Sequence, residues 1–299
     1  MKKEVTAEFS MEKLNIKAFL ESYCTLSSRK VKQLLKQKKI QINSKTAYYD
    51  SNVKTGDKVA FDMSEFGKDS TLPESMALDI IYEDEYFMAV NKPAGILVHP
   101  TPNFTTNTLA NGIKFYFLSI GLDIPIRLIN RIDRDTSGLV IIAKSGEAHR
   151  ELAKQFEQDN CEKLYLAVAE GCFDKASGII DKPIGMDIEN PIRRAVCEDG
   201  QKSITVYEVQ EQYKMAALIK LKLVTGRTHQ IRVHMSSVGH PLLGDMLYGG
   251  NMELMQRQAL HAYKMIFQHP YEKREIELQA KLPKDMEQLL ELLKNKVIE

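Results

Sequence analysis

An apolar run at residues 139–143, Leu-Val-Ile-Ile-Ala, directly follows a charged loop. Such a run, bounded by turn residues, predicts a buried β-strand. The loop alternates in sign through Arg131, Asp133, Arg134 and Asp135, and Thr136-Ser137-Gly138 supplies the turn. Asp133 is expected to stay ionised beside the arginines, and scaffolded loops often carry function. On charge alone, however, a structural ion-pair cluster is the better explanation, because most such clusters are structural.

Strands outnumber helices in the second part of the chain. Apolar or alternating segments predict strands at 78–81, 86–90, 96–98, 139–143, 163–168, 203–209, 216–224, 260–267 and 275–278. Helical patterns occur at 108–117, 146–158, 228–238 (with Thr228 as the N-cap) and 284–296. Consecutive strands favour antiparallel pairing, so we predict an α+β fold with a mainly antiparallel mixed sheet and flanking helices.

The first 45 residues are basic, with 11 Lys and Arg against 4 Glu, although the whole chain has a net charge of only +1. Two short helices are predicted at 14–26 and 27–38, the second capped by Ser27 or Ser28, and small strands at 40–43 and 59–61. The second helix carries the candidate phosphate-binding residues Arg29, Lys30, Lys32 and Lys36. On charge alone, an RNA-binding surface and a solvated helix face explain this pattern equally well.

A polar stretch between these two parts predicts a linker. We expect a basic module at 1–65, a linker at 66–76 and a larger domain at 77–299. Glutamates follow the initial Lys2-Lys3 without an apolar signal segment, and no apolar run reaches membrane-spanning length. The four cysteines show no C-x-x-C spacing. These features favour a cytoplasmic protein with reduced thiols and no contact with a membrane.

The sequence offers few cofactor signals. His229 and His234 are five residues apart, which suits neither one face of a strand nor one face of a helix as a metal pair. There is no Walker loop and no G-x-G-x-x-G, so neither a metal nor a nucleotide cofactor is predicted. Asp133 and Tyr165 remain as chemical groups, because an ionised Asp can act as a nucleophile and a Tyr can stack on a base. Taken alone, Tyr165 is more typical of a half-buried sheet residue.

Several ordered blocks then resemble the RluA/RluD-type pseudouridine synthases. The run from Arg131 to Leu139 resembles the family's main motif. The other blocks are Val90–Gly95, Lys163–Tyr165, Thr225–His234, Gly239–Pro241 with Gly244-Asp245, and Leu260–Ala262 with His269-Pro270. The family motif often begins with His where this chain has Asn130. The N-terminal helix pair is similar to the alpha-L type RNA-binding module, except that Asn15-Ile16-Lys17 stands where relatives have Arg-Leu-Asp.

The resemblance implies a role for each matching residue. Asp133 would attack or stabilise the ribose, Tyr165 would stack on the uracil and take part in proton transfer, and Arg232 would pair with Asp133. Arg131 would fill the gap left by the flipped base, and Lys163 would support the site. The implied activity is isomerisation of uridine to pseudouridine in structured RNA, with large-subunit ribosomal RNA as the expected partner and a monomer as the expected state. The alternative is a non-catalytic RNA-binding ribosome-assembly factor on the same fold.

Overall fold

The chain forms two compact units, Met1–Ser70 and Thr71–Glu299. The structure, a computed structural model, describes residues 2–8, 14–24, 26, 28–62, 71–158 and 160–295, without the side chains of Lys2 and Arg29. The division between the units falls within the predicted linker at 66–76, of which residues 66–70 lie outside the described ranges.

The first unit combines two short helices with small antiparallel strands. Its helices are α1 Ile16–Ser22 and α2 Ser28–Lys36, and its strands are β1 Lys2–Thr6, β2 Leu14–Asn15, β3 Ile40–Ile42, β4 Lys45–Thr46, β5 Asn52–Val53 and β6 Lys58–Asp62. The sheet order is β1-β6-β3-β4, and β2 pairs with β5. Ile16, Phe19 and Leu20 of α1 and Leu34 of α2 lie in one buried cluster, so the apolar sides of the two helices pack together.

Helix α1 begins later than the sequence pattern predicts. Asn15 pairs with Asn52 in β2 and β5, and its side chain accepts a hydrogen bond of 2.7 Å from the Ala18 amide, so α1 starts after it. Ser28 is the first residue of α2, and the other predicted cap, Ser27, lies outside the described residues.

The second unit is built on one large sheet. Its strands are β7 Ile80–Glu83, β8 Phe87–Lys92, β9 Arg127–Leu128, β10 Ser137–Ala143, β11 Glu162–Glu170, β12 Ser177–Asp181, β13 Ile184–Met186, β14 Arg194–Val196, β15 Ile204–Gln212, β16 Ala216–Leu223, β17 Leu260–Gln268 and β18 Glu275–Gln279. Its helices are α3 Leu109–Ser119, α4 Gly146–Glu157, α5 Gln230–Ser237 and α6 Lys284–Asn295, with a 3-10 helix at Met246–Tyr248.

The sheet order is β12-β15-β16-β11-β17-β10-β8-β7, with β18 beside β17 and β9 beside β10. The described strands of this sheet pair antiparallel except for β10 and β17, where Ser137 and Gly138 lie parallel to His261 and Ala262. The predicted α+β fold with a mainly antiparallel mixed sheet is therefore confirmed.

Strand β10 lies between β17 and β8 in the sheet, and all seven of its residues are buried. One face of the strand shares a cluster with Leu152 of α4, and the other shares a cluster with Phe117 of α3. Helices on both faces explain why 139–143 is continuously apolar rather than alternating. Gly138 has a φ of 115°, and a Cβ there would lie 2.2 Å from the Ala262 carbonyl oxygen, so the parallel pairing requires glycine.

The predicted strand at 96–98 is wrong. Leu97 forms only an isolated bridge with Thr108. The carbonyls of Leu97 and Val98 instead accept hydrogen bonds of 2.8 and 3.0 Å from the amides of Leu109 and Ala110. The segment thus provides acceptors for N–H groups at the start of α3 that have no partner within the helix. The pattern of apolar residues at 96–98 could not indicate this interaction.

Candidate active site

An open cleft of about 750 Å³ lies beside the loop that enters β10. Its lining includes Arg131, Asp133, Lys163, Tyr165 and Arg232. The fold therefore brings together, in one cleft, five residues that the sequence offered in three separate segments. The loop that enters β10 carries Arg131 and Asp133, β11 carries Lys163 and Tyr165, and α5 carries Arg232, so regular elements carry or anchor the polar groups.

Lys92, which is 0% exposed, anchors the loop that carries Asp133. Its Nζ donates hydrogen bonds to the carbonyls of Pro93 at 2.7 Å, Ile96 at 2.9 Å and Arg134 at 2.9 Å. Burial lowers the pKa of Lys92 to about 7, against the favourable charge of nearby carboxylates. The three carbonyls match the three donors of an ammonium group and fix the backbone next to Asp133.

Asn130, which stands where the resemblance led us to expect His, has a structural contact. Its side-chain nitrogen donates to the Leu139 carbonyl at 3.0 Å, and its oxygen accepts from the Ile141 amide at 2.8 Å. The amide thus pairs with the backbone of β10 much as a neighbouring strand would. This contact anchors the start of the loop.

Asp133 and Arg232 are joined by a hydrogen bond of 3.0 Å, with Arg232 Nη1 as donor. Arg232 also donates from Nε and Nη2 to Asp245, at 2.7 and 2.8 Å, in the two-bond geometry that suits a carboxylate. The side chains of Arg232 and Asp245 are 8% and 1% exposed. Burial opposes the charge on Arg232, but bonding to Asp245 and the charge of Asp133 outweigh it and raise the pKa of Arg232. The guanidinium therefore stays charged and fixes the direction of Asp133.

Tyr165 lies on β11 and is 7% exposed. Burial, reinforced by the negative charge of Asp133, raises the pKa of the Tyr165 phenol well above its usual value. The hydroxyl therefore remains protonated at neutral pH. Lys163, two residues earlier on the same face, is also buried, and its Nζ lies 6.0 Å from the centre of the Phe156 ring. The predicted alternation of β11 is confirmed, since Lys163 and Tyr165 share one face.

The turn before α5 differs from the prediction, because His229 rather than Thr228 occupies the N-cap. His229 has a left-handed backbone with φ 57°. The turn is organised by the buried side chain of Gln230, whose oxygen accepts from the Arg227 amide at 3.0 Å and the Thr225 hydroxyl at 2.9 Å. The side chain of the first helical residue therefore organises this turn in place of the Thr228 cap that the sequence suggested.

Of the predicted RNA-binding residues, Arg131 and the three lysines of α2 are exposed, whereas Lys163 on β11 is buried. Arg131 is exposed at the edge of the cleft. In the first unit, Lys30, Lys32 and Lys36 are exposed on α2 around the buried stripe, whereas the side chain of Arg29 lies outside the described residues. These lysines share the solvent face of one helix.

Sequence reasoning missed four contributors: Lys92, Asp245, and His229 with Tyr248, whose Nδ1 and hydroxyl oxygen lie 2.8 Å apart. Lys92 and Asp245 lie in two of the blocks that resemble the family, and that resemblance could have marked them as site residues. Their spacing in the sequence, however, indicated no contact for either. Among the described residues, no group of three or more His, Cys, Asp or Glu is placed to hold a metal ion. Within the same part of the chain, no helix is both long and apolar enough to cross a membrane.

Comparison with known proteins identifies relatives over most of the chain. A family model described as RNA pseudouridylate synthase matches residues 86–237. An uncharacterized RNA pseudouridine synthase of Bacillus subtilis (strain 168), YhcT, is 40% identical over 261 residues, which cover 87% of this chain and 86% of the relative. The ribosomal large subunit pseudouridine synthase D of Zymomonas mobilis is 38% identical over 236 residues, covering 74% of each chain.

Solved structures show the same fold. Human RNA pseudouridylate synthase domain containing 1 matches with a TM-score of 0.58 and 26% identity, covering 74% of this chain and 97% of that chain. Human RNA pseudouridylate synthase domain containing 4 matches with a TM-score of 0.60 and 23% identity, covering 72% and 92%.

Proposed function

Because the chain belongs to the RNA pseudouridylate synthase family, we propose that Asp133, Tyr165 and Arg232 form the active site in which it isomerises uridine to pseudouridine. The protein is an isomerase that acts on RNA. The reaction breaks the bond between ribose C1′ and uracil N1, rotates the uracil and joins its C5 to C1′. N1 gains a proton and C5 loses one, so no atom and no electron is gained overall.

The observation that carries the proposal is the bond of 3.0 Å between Asp133 and Arg232 inside the cleft. A carboxylate at this position can attack C1′ or stabilise the positive charge that develops when the glycosidic bond breaks. Arg232 holds the carboxylate in one orientation, because Asp245 fixes the other side of the guanidinium. An oriented carboxylate reduces the reorganisation needed to reach the transition state.

Tyr165 supports the same reaction from the floor of the cleft. Its ring offers a stacking surface for the uracil. Since its phenol stays protonated at neutral pH, the hydroxyl can donate a hydrogen bond to the uracil or to Asp133, and it can accept the C5 proton only after giving up its own.

The target uridine has to leave its stack to reach Asp133. Flipping a base costs about a few kcal/mol and costs least in irregular or single-stranded RNA. Arg131 is exposed at the edge of the cleft, where its side chain can occupy the space left by the base. The exposed lysines of α2 add phosphate contacts that offset the same cost.

Large-subunit ribosomal RNA is the proposed substrate. The support comes from relatives named ribosomal large subunit pseudouridine synthase D, including the one from Zymomonas mobilis at 38% identity and one from Nitrosomonas europaea at 34% identity. Pseudouridine mapping of ribosomal and transfer RNA from cells with and without the gene identifies the substrate. If only a pseudouridine in transfer RNA is lost when the gene is deleted, the substrate is transfer RNA and not ribosomal RNA.

The catalytic assignment is tested by Asp133→Asn, which keeps the size of the side chain and removes its charge. We expect pseudouridine formation in the mapped RNA to fall by at least about 1,000-fold, as expected for a group acting directly on the reacting atoms. Asp135→Asn is the matched control in the same loop and is expected to stay within about tenfold of the parent, because Asp135 has no assigned role at the reacting atoms. Retained turnover in a folded Asp133→Asn protein contradicts the assignment. RNA binding by the parent protein without modification supports a non-catalytic assembly factor.

A further inference from the structure

His229 at the edge of the cleft makes a contact that reveals which ring nitrogen carries the proton. Its Nδ1 lies 2.8 Å from the hydroxyl oxygen of Tyr248. The same hydroxyl oxygen accepts a hydrogen bond of 2.9 Å from the Arg194 amide. Tyr248 is 5% exposed, so its hydroxyl hydrogen has to find an acceptor within the protein or remain unsatisfied.

Within the part of the chain that the structure describes, the acceptor bonded to that hydrogen is Nδ1 of His229. If Nδ1 carried a proton instead, the Tyr248 oxygen would receive two donors and its own hydrogen would be buried without a partner. A buried polar group without a partner is costly. The arrangement therefore selects the neutral imidazole whose proton is on Nε2.

The proton on Nε2 of His229 lies on the side of the ring next to Asp133. Nε2 of His229 lies 3.8 Å from Oδ2 of Asp133, which is too long for a hydrogen bond. Among the residues that the structure describes, no acceptor is hydrogen-bonded to this Nε2. His229 thus presents an unused donor beside the carboxylate, and its side chain is 15% exposed to the cleft.

The backbone of His229 provides a second, independent observation. Its φ of 57° and ψ of 16° are left-handed, a conformation that costs free energy for a residue other than glycine. Strained residues held by their surroundings concentrate at functional sites. Here the unusual backbone aims the imidazole past the start of α5, toward Asp133.

We propose that His229 binds the substrate through Nε2–H, donating a hydrogen bond to a ribose oxygen of the target nucleotide, and that Tyr248 is the positioning residue that fixes its tautomer. The inference rests on the proposed function, since Asp133 acts at ribose C1′ and the ribose oxygens are the acceptors nearest to that carbon. A neutral donor leaves the Asp133 carboxylate available, whereas a cationic imidazole would compete for it as an ion pair.

Burial and the charged groups around His229 together favour the neutral form of its imidazole ring. Burial lowers the pKa of His229, Asp133 and Asp245 act in the opposite direction, and the positive charges of Arg232 and Arg194 lower it further. Tyr248 is a further titratable neighbour, and burial raises the pKa of its phenol, so it stays a donor at neutral pH. As the pH falls through the pKa of His229, the ring gains a second proton and the arrangement is lost.

The tautomer is tested directly by nitrogen NMR of protein labelled with ¹⁵N-histidine. Wild-type protein near neutral pH is expected to show His229 with a protonated Nε2 and an unprotonated Nδ1. Tyr248→Phe removes the hydroxyl but keeps the ring, and should give a mixture of tautomers. A protonated Nδ1 in the wild-type protein overturns the inference, whatever the substrate of the enzyme.

Two substitutions at His229 separate substrate contact from structure. Asn places an amide near the former Nδ1, can partner Tyr248 and tolerates left-handed backbone, but it has no donor at the Nε2 position. Gln reaches the Nε2 position with a donor. We expect His229→Asn to lower kcat by about 100-fold, the lower end of what removing one positioned donor costs, and His229→Gln to lower it by less than about tenfold.

These variants are assayed by tritium release from 5-tritiated uridine in a transcript of large-subunit ribosomal RNA, alongside their unfolding midpoints. The wild-type rate should also fall at acidic pH as His229 is protonated, and His229→Asn should lack this component. Equal losses in Asn and Gln, or an unchanged kcat in Asn, overturn the inference. No tritium release by the wild-type protein would instead contradict the proposed substrate, and the NMR experiment would still decide the tautomer.

Discussion

Replacing Asp245 by Asn removes one buried negative charge without changing the size of the side chain. Asp245 is 1% exposed and receives two hydrogen bonds from Arg232, at 2.7 and 2.8 Å. In the variant, the amide can accept one of these bonds, but its NH2 group faces a guanidinium N–H, donor against donor. Arg232 then keeps one bond to residue 245 and its bond of 3.0 Å to Asp133, and one of its N–H groups loses its acceptor.

The expected cost follows from the burial of this network. Removing one partner of a buried ion pair costs about 3–5 kcal/mol, because the remaining charge lacks compensation. Arg232 keeps Asp133 as a second anionic partner, so we expect the lower end, about 3 kcal/mol of unfolding free energy. The rate should fall about 100-fold, because a displacement of about 1 Å in a positioning group has an effect of this size.

The assay compares urea unfolding, followed by circular dichroism, with single-turnover conversion of the mapped RNA under conditions where the variant is folded. Glu208→Gln is the matched control, since it makes the same carboxylate-to-amide change in the exposed pair with Lys220. The control should leave both the unfolding midpoint and the rate unchanged. Unchanged stability of Asp245→Asn would refute the buried network. A destabilised variant with the full single-turnover rate would refute the positioning of Asp133 through Arg232.

Two further predictions concern Lys92 and the basic helix. Lys92→Met leaves three carbonyls without a donor and should slow single-turnover conversion about 10- to 100-fold. Burial lowers the pKa of Lys92 from 10.5 to about 7, so between about pH 7 and pH 10 the folded state binds fewer protons than the unfolded state. The stability of the wild-type protein relative to Lys92→Met should therefore increase as the pH rises from about 7 to 10. The triple change of Lys30, Lys32 and Lys36 to Ala should reduce the salt dependence of RNA binding, by about 0.7–0.9 in the log–log slope for each phosphate that a lysine no longer neutralises. The same three lysines changed to Arg should keep that slope, and an equal slope in the Ala variant would contradict phosphate binding by α2.

Local pattern was enough to predict most elements of the second unit. The apolar run at 139–143 became the buried strand β10, and the alternation of Lys163 and Tyr165 became one face of β11. The first prediction succeeded because a strand buried on both faces is continuously apolar, and the second because side chains alternate between the two faces of a strand. The segment at 96–98 failed because its backbone satisfies the start of α3, an interaction that no local period encodes.

The amino-acid sequence by itself determined most strands and helices of the second unit, the charged loop at Asp133 and, through the ordered motifs, the family. Tertiary structure decided which groups touch. Asp133 and Arg232 are 99 positions apart, and the places of Asp245, Lys92 and Tyr248 beside them follow only from the way the fold brings distant segments together. The physical reason is that hydrogen bonds and ion pairs depend on distances of about 3 Å between side chains, whereas periodicity reports only which face of an element is buried.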